Sequence, residues 1–327
     1  MELRTTFDIT PSVLKITYDD PVLLTGSCFS ASIGRKFELG HLPVMINPSG
    51  TVYNPVSVFN TIGRIMSGEH YEIKDLHEYN GMWVSFDHYM DFSSSNPVKT
   101  LESVNSRLDE ARKFLAGARF LFITFGTARV YRWNETGRIV SNCHKIPSAY
   151  FTNELLAVND IVSLWNSCLD TLKAGYPELK VVFTISPLRH WKDGAHGNQV
   201  SKSVLFLGVE ELLRHPSGPM YFPAYELLMD DLRDYRYYND DMLHPSSSAI
   251  EYIWEAFSNC YFDKKTRELW DEIYGISKAV THRIQSGAVT EKKKFAETMI
   301  SRIDSITGRR PGIDLSSERS HFAMLLG

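Results

Sequence analysis

Several features that mark specialised proteins are scarce or missing in this 327-residue sequence. Its four cysteines form no C-x-x-C pair, which argues against a zinc ribbon and provides no disulfide framework. The histidines show neither H-x-x-x-H nor H-E-x-x-H spacing, so we predict no metal site. Residues 1–6 do not resemble a signal peptide, and the early apolar run at 21–24 is far too short to span a bilayer. We therefore expect a cytoplasmic protein with reduced thiols and no membrane partner.

An excess of basic residues is also lacking. Lysine and arginine number 35 against 39 acidic residues, which gives a net charge of −4. Proteins that bind the phosphate backbone normally carry a basic excess, so nucleic acid is not an expected partner. Apolar residues make up 43% of the chain and aromatic residues 12%, which is enough for a large core and excludes wholesale disorder.

Apolar, strand-like runs alternate with helix-like segments through residues 20–260. The continuous run at 120–125 has the pattern of a strand buried on both faces of a parallel sheet. Further strands are predicted at 22–25, 42–46, 180–185, 220–222 and 235–238, with a hairpin over 128–141 and a helix beginning at 153. This alternation predicts a doubly wound, mostly parallel sheet. Residues 1–261 should form that domain, followed by a charged helical extension with a loose tail over 262–327.

Ligands in such folds bind at the carboxyl ends of the strands, where two turns stand out. Ser27 follows the first predicted strand and begins a helix, a position that suits a nucleophile, although a serine there often only caps the helix. Asp241 and His244 form a D-x-x-H pair that could supply a base and the carboxylate that orients it. A second such pair ends at His196, but we favour His244 because it follows a predicted strand, whereas His196 is expected in a polar loop.

Five separated blocks of this sequence resemble the GSCFA domain family. They are LTGSCF at 24–29, NPSGTVYNP at 47–55, FGTA at 125–128, NCHK at 142–145 and SPLRH at 186–190. The resemblance covers about residues 20–260, and the family is grouped with the SGNH (GDSL-like) hydrolases. It implies a flavodoxin-like three-layer α/β/α sandwich and ester hydrolysis by a serine without a metal or other cofactor.

The resemblance also implies roles for particular residues. Ser27 matches the nucleophile, and Asp241 with His244 matches the final block. In this mechanism the N–H groups of Ser27 and Gly50 bind the oxyanion. The asparagine expected shortly after Gly126 is replaced by Thr127 and Ala128, so Asn54 or Asn142 could supply the missing amide. His144 and His190 are candidate substrate-binding residues, each with a structural role as the alternative.

Two other interpretations compete with a serine hydrolase. Cys28 could be a thiol nucleophile, but we expect a side chain one position into the helix to point elsewhere. A non-catalytic protein could keep the fold and stack a sugar ring in an aromatic-lined cleft formed by Tyr53, Tyr131, Trp133 and Trp191. The leading prediction is an esterase for an O-acyl group, such as acetyl, on a carbohydrate or other small polar metabolite, with an acyltransferase on the same scaffold as an alternative.

Overall fold

A computed structural model describes residues 5–281 and 289–326 of the chain. Residues 1–4, part of the opening segment that does not resemble a signal peptide, lie outside this range, as do residues 282–288 and 327 of the predicted extension. The strands are β1 (Val22–Gly26), β2 (Val44–Ile46), β3 (Leu76–Tyr79), β4 (Met82–Ser85), β5 (Phe120–Phe125), β6 (Arg129–Trp133), β7 (Ile139–Val140), β8 (Phe151–Leu155), β9 (Lys180–Ile185) and β10 (Met220–Tyr221).

Helices connect most of these strands. They are α1 (Cys28–Leu39), α2 (Pro55–Ser67), α3 (Pro97–Gly117), α4 (Val158–Gly175), α5 (Gly194–Leu212), α6 (Ala224–Glu226), α7 (Ser247–Tyr261), α8 (Lys264–Thr281), α9 (Val289–Arg309) and α10 (Ser316–Met324). A π-helical turn, Leu227–Leu232, continues α6. Among the described residues, no helix is both long and apolar enough to cross a membrane.

Five parallel strands form the central sheet in the order β10-β9-β5-β1-β2. Counted within the sheet and read from the β2 edge, this order is 2-1-3-4-5, the flavodoxin-like arrangement. All six residues of β5 are buried, because helices cover both faces of the sheet. The predicted fold class, a three-layer α/β/α sandwich, is confirmed.

Alternate side chains of the sheet enter two separate cores. Leu121, Ile123 and Phe125 of β5 pack with α2, α3, α4 and α5 on one face. Phe120 and Phe122 face the other side, where α1 and α7 contribute most of the apolar cover. The two-residue period of a strand thus divides one apolar run between two helical layers.

A small second sheet was only partly predicted. β6 pairs with β7 as the expected hairpin and also with β8, where a helix was expected to begin at 153. Arg132 and Glu154 are diagonal neighbours across this extra pair and form two hydrogen bonds of 3.0 and 2.9 Å. The helix begins only at α4, because cross-strand pairing holds the preceding residues extended.

The C-terminal extension is more ordered than predicted. Phe322 of α10 is fully buried against α8 and α9, together with Ile313 and Leu315, so the expected loose tail is wrong. The extension also contacts the end of α1, where Trp270 Nε1 donates to the carbonyl of Lys36 at 3.0 Å.

Candidate active site

The turn between β1 and α1 lies at the point where the sheet order reverses, next to the end of β5. Gly26 has φ 133°, and a Cβ atom there would lie 2.1 Å from the Thr124 carbonyl oxygen. Only glycine permits this conformation and this close approach. The chain therefore turns sharply and places residues 27 and 28 at the carboxyl edge of the sheet, where ligands bind in such folds.

Ser27 caps helix α1 and is fully buried, with 0% of its surface exposed. Its Oγ accepts a hydrogen bond from the N–H of Phe29 at 3.3 Å, and its own N–H donates to the carbonyl of Thr124 at 3.1 Å. The side chain of a helix cap folds back onto the first helical turn, and no hydrogen bond joins Ser27 to His244 in the described residues. The nucleophilic role of Ser27 stays a prediction, and this geometry disfavours it.

Cys28, the first residue of α1, is the residue that meets the predicted base. Its Sγ lies 4.0 Å from Nε2 of His244, and the side chain is only partly buried. The expectation that Cys28 points elsewhere is therefore wrong. Burial raises the pKa of the Cys28 thiol, although the backbone N–H groups of Cys28 and Phe29 and the charge of Lys202 act in the opposite direction. The resting group is a thiol that needs a base.

His244 and Asp241 form the expected pair. Nδ1 of His244 lies 2.5 Å from Oδ2 of Asp241, while Oδ1 accepts the N–H groups of Leu243 and His244 at 2.9 Å each. These hydrogen bonds, first those from the backbone, lower the pKa of Asp241 to about 2. The carboxylate holds the imidazole proton on Nδ1 and leaves Nε2 as the acceptor facing Cys28.

Local sequence keeps His244 outside helix α7. Ser246 caps this helix, and Pro245 disfavours helical geometry at the residue before it. The strand predicted just upstream is instead a 3₁₀ turn, Tyr235–Tyr237, in which the Asp234 side chain accepts the N–H of Arg236. Only Tyr238 retains an isolated bridge, to Pro245.

His196 is not comparable with His244. It lies in the first turn of α5 rather than in the predicted polar loop, and its side chain is exposed. Asp193, the acid of its D-x-x-H pair, instead lies 3.6 Å from Arg129.

Four predicted oxyanion or substrate-binding residues near this turn have structural roles. The N–H of Gly50 donates to the carbonyl of Asn47 at 2.7 Å, and the Asn54 side chain caps α2 through two hydrogen bonds with Ser57. The N–H groups of Gly126 and Thr127 both donate to the carbonyl of Tyr53. These donors are already bonded, so the predicted oxyanion pair of the Ser27 and Gly50 amides is not available in this geometry.

Asn142 and His144 lie beside the second sheet, outside the pair formed by Cys28 and His244. The Asn142 side chain accepts the N–H of His144 at 2.8 Å, and Nε2 of His144 lies 2.8 Å from the carbonyl oxygen of Ser85. His144 is buried against Phe86, and this burial lowers its pKa. Both residues hold the loop after β7 and have no contact with Cys28 or His244 within the described part of the chain.

Comparison with known proteins gives one firm assignment. A model of the GSCFA family matches residues 21–257, which is most of the chain. The chain belongs to the GSCFA family. None of the curated proteins matches the sequence. A solved structure described as "a putative platelet activating factor from Streptococcus pneumonia" covers 73% of this chain and 83% of its own, at 10% identity and a TM-score of 0.36. That score is too low to transfer any property.

Of the two histidines predicted to bind substrate, His190 lies at the candidate site beside Ser27 and Gly126. Its Nε2 is 3.0 Å from the position that a Cβ of Gly126 would take, and Ser27 Cβ is 3.4 Å from the same point. Tyr53 packs edge-on against the ring. Nε2 is buried and has no hydrogen-bond partner in the described residues. Burial, followed by the charges of Lys202 and His244, lowers the pKa of His190 to about 4, so the ring is neutral at pH 7.

Lys202 of α5 is a buried cation that our sequence analysis missed. Its Nζ donates to the carbonyls of Gly126 at 2.7 Å and of Ser186 at 2.6 Å, which follow β5 and β9. Burial lowers its pKa to about 7. The signal was available in the helix period, because Lys202 shares the buried face of α5 with Asn198, Leu205 and Val209.

Within residues 5–281 and 289–326, His, Cys, Asp and Glu side chains form no group of three or more that could hold a metal ion.

Proposed function

We propose that this GSCFA protein is an acyl hydrolase that acts on an ester through a thiol nucleophile, with Cys28 attacking, His244 as the base and Asp241 orienting the imidazole. The distance of 4.0 Å between Cys28 Sγ and His244 Nε2 carries the proposal, together with the hydrogen bond from His244 to Asp241. Such contacts are often loose without substrate and shorten in the complex. The proposal keeps the SGNH-like scaffold that the sequence blocks imply and replaces the predicted serine with a cysteine.

The first half-reaction forms a thioester. His244 takes the proton from the Cys28 thiol, and the sulfur attacks the carbonyl carbon of the ester. Asp241 stabilises the resulting imidazolium, which then donates the proton to the departing alkoxide oxygen. A base is required because burial raises the pKa of the Cys28 thiol.

The tetrahedral intermediate needs donors that are not already bonded. The N–H of Cys28 lies at the start of α1, where the helix dipole favours negative charge. His190 is neutral and has a buried Nε2 without a partner in the described residues, so we assign it as the side-chain donor that replaces the missing amide. The Asn198 side chain positions His190 by accepting the backbone N–H of His190 at 2.9 Å.

Water attacks the thioester in the second half-reaction, with His244 again as the base. A sugar hydroxyl in place of this water would make the protein an acyltransferase, and both reactions share the first step. The substrate that we propose is an O-acyl ester of a carbohydrate or other small polar metabolite.

Matched variants at neighbouring positions test the nucleophile. With 4-nitrophenyl acetate as substrate, Cys28→Ala should lower kcat/KM at least about a thousandfold, as loss of a nucleophile does. His244→Ala should do the same, whereas the exposed His196→Ala should not. Ser27→Ala should keep most of the activity and lose about 1 kcal/mol of stability as a missing helix cap.

Labelling provides an independent readout of the same assignment. Mass spectrometry should locate the iodoacetamide label on Cys28, and an assay after labelling should show that turnover is lost. Cys143→Ala, at a partly buried cysteine, is the control and should still lose turnover after labelling. Fluorophosphonate on Ser27, with full activity in Cys28→Ala, would return the chemistry to the serine.

The bonded amides of Ser27 and Gly50 favour one competing function, a non-catalytic carbohydrate-binding protein. Of the aromatic residues available for stacking, Trp133 is 6% exposed and lies in the core of the second sheet, whereas Trp191 is 52% exposed. Sugar binding without hydrolysis of any ester in the assay above would support this function.

A further inference from the structure

A cavity of about 460 Å³ lies beside the Cys28–His244–Asp241 site. Its lining includes the segment Asp241–Leu243, which directly precedes His244, and Arg189 and Trp191 from the turn after β9. Met229 and Tyr238 add apolar and aromatic surface to the lining. A substrate group in this cavity would therefore adjoin the residues that we assign to catalysis.

Arg189 is the unpaired charge of this cavity. Its Nε is buried without a hydrogen-bond partner, and no carboxylate of the described residues lies within ion-pair distance of its guanidinium. The guanidinium carbon lies over the Trp191 ring, 5.3 Å from its centre. Arginine presents donors in a planar fork that matches a carboxylate or phosphate.

The acidic residues in the lining do not neutralise Arg189. Asp241 is bonded to His244, and Asp234 forms a 2.8 Å ion pair with Arg236. Arg233, the second cation of the lining, lies 3.7 Å from Asp230 at the exposed rim. Burial, and to a smaller extent the charge of Arg189, lowers the pKa of Lys202, so the two side chains lie near each other at this end of the sheet.

We propose that this cavity is an anion subsite, in which Arg189 binds a carboxylate or phosphate group of the substrate and Trp191 packs against its ring or apolar portion. The proposal rests on the proposed function, because it assigns the cavity to the substrate of Cys28. The natural ester should then carry a negative charge near the bond that is broken.

Calorimetric titration tests the subsite without requiring turnover. Benzoate and phenyl phosphate are the two anionic probes, and benzamide is the neutral control of the same shape. At least one anion should bind wild type, and benzamide should not. The anion that binds more tightly shows whether the site prefers a carboxylate or a phosphate. Arg189→Gln should weaken that binding about tenfold or more, whereas Arg189→Lys should retain part of it. Arg214→Gln, an exposed arginine just after α5, should leave it unchanged.

Two outcomes would overturn the subsite: neither anion binds, or Arg189→Gln binds as tightly as wild type. Turnover separates this result from the proposed function. Wild type should prefer 4-nitrophenyl hemiglutarate to 4-nitrophenyl acetate, and Arg189→Gln should lose that preference. Anion binding without hydrolysis of either ester would leave the subsite standing and contradict the hydrolase. Hydrolysis of both esters at equal rates, without anion binding, would support the hydrolase and contradict the anion subsite.

Discussion

Two neighbouring side chains at the start of α1 take different directions, and the proposed chemistry depends on this difference. The helix cap, Ser27, turns back to accept the N–H of Phe29, whereas the first helical residue, Cys28, projects from the rim of the sheet toward His244. The same turn of backbone makes one group a buried acceptor and the other a partly exposed thiol that faces His244. Exchanging their identities would leave a thiol in the cap and a hydroxyl facing the base.

His190 should contribute to the rate rather than to substrate affinity. His190→Ala removes the donor that we assign to the oxyanion, and loss of one such donor lowers kcat about a hundredfold or more with little change in KM. The matched control is His144→Ala, which removes another buried histidine that lies beside the second sheet. This control should lower the melting temperature and leave kcat close to wild type. A rise in KM alone in His190→Ala would contradict the oxyanion role.

At the scale of elements, contact between α1 and the C-terminal extension depends on the space beside Gly40. A Cβ at this position would lie 2.0 Å from Cδ1 of Trp270, whose ring is buried and bonded to the end of α1. Gly40→Ala should therefore displace the indole and destabilise the protein by about 1 to 3 kcal/mol. Chemical denaturation followed by tryptophan fluorescence measures this change.

Gly117→Ala is the control for this prediction, because it adds the same methyl group at the end of α3 with no atom within 4 Å. It should be neutral or stabilise the chain by up to about 1 kcal/mol. Equal stability of the Gly40 and Gly117 variants would show that the extension does not rely on the contact with Trp270.

Sequence patterns predicted elements well where burial dominates and less well where local hydrogen bonds compete. The run at 120–125 is apolar on both faces and forms β5 as expected. Tyr235–Tyr237 has strand-like residues, yet the Asp234 side chain caps a 3₁₀ turn there. At the candidate site, the D-x-x-H spacing predicted the pairing of Asp241 with His244, which the structure shows as a hydrogen bond. Which of Ser27 and Cys28 faces His244 depends on side-chain direction at a helix start, which the sequence does not reveal. The sequence did not predict the role of Lys202, because its partners are two backbone carbonyls that follow strands distant in the sequence.

At the scale of the whole molecule, Lys202 joins the turns that follow two central strands and links global stability to pH. Its pKa is about 7 in the folded protein, below the 10.5 of an exposed lysine, because burial disfavours the charged form. Between these values the unfolded chain binds a proton that the folded protein lacks, so this residue makes stability rise with pH. Below about pH 7 both states are protonated and the pH dependence disappears.

Comparison with Lys202→Met isolates this contribution. Between about pH 7.5 and 9.5, the free energy of unfolding of wild type should gain up to about 1.4 kcal/mol per pH unit relative to the variant. Urea unfolding at several pH values measures the difference, while groups such as His190 and Cys28 titrate in both proteins and largely cancel. The variant also leaves the carbonyls of Gly126 and Ser186 without their donor, which lowers stability at every pH but adds no slope. A stability difference that stays constant across this range would mean that the buried ammonium keeps its proton in the folded protein.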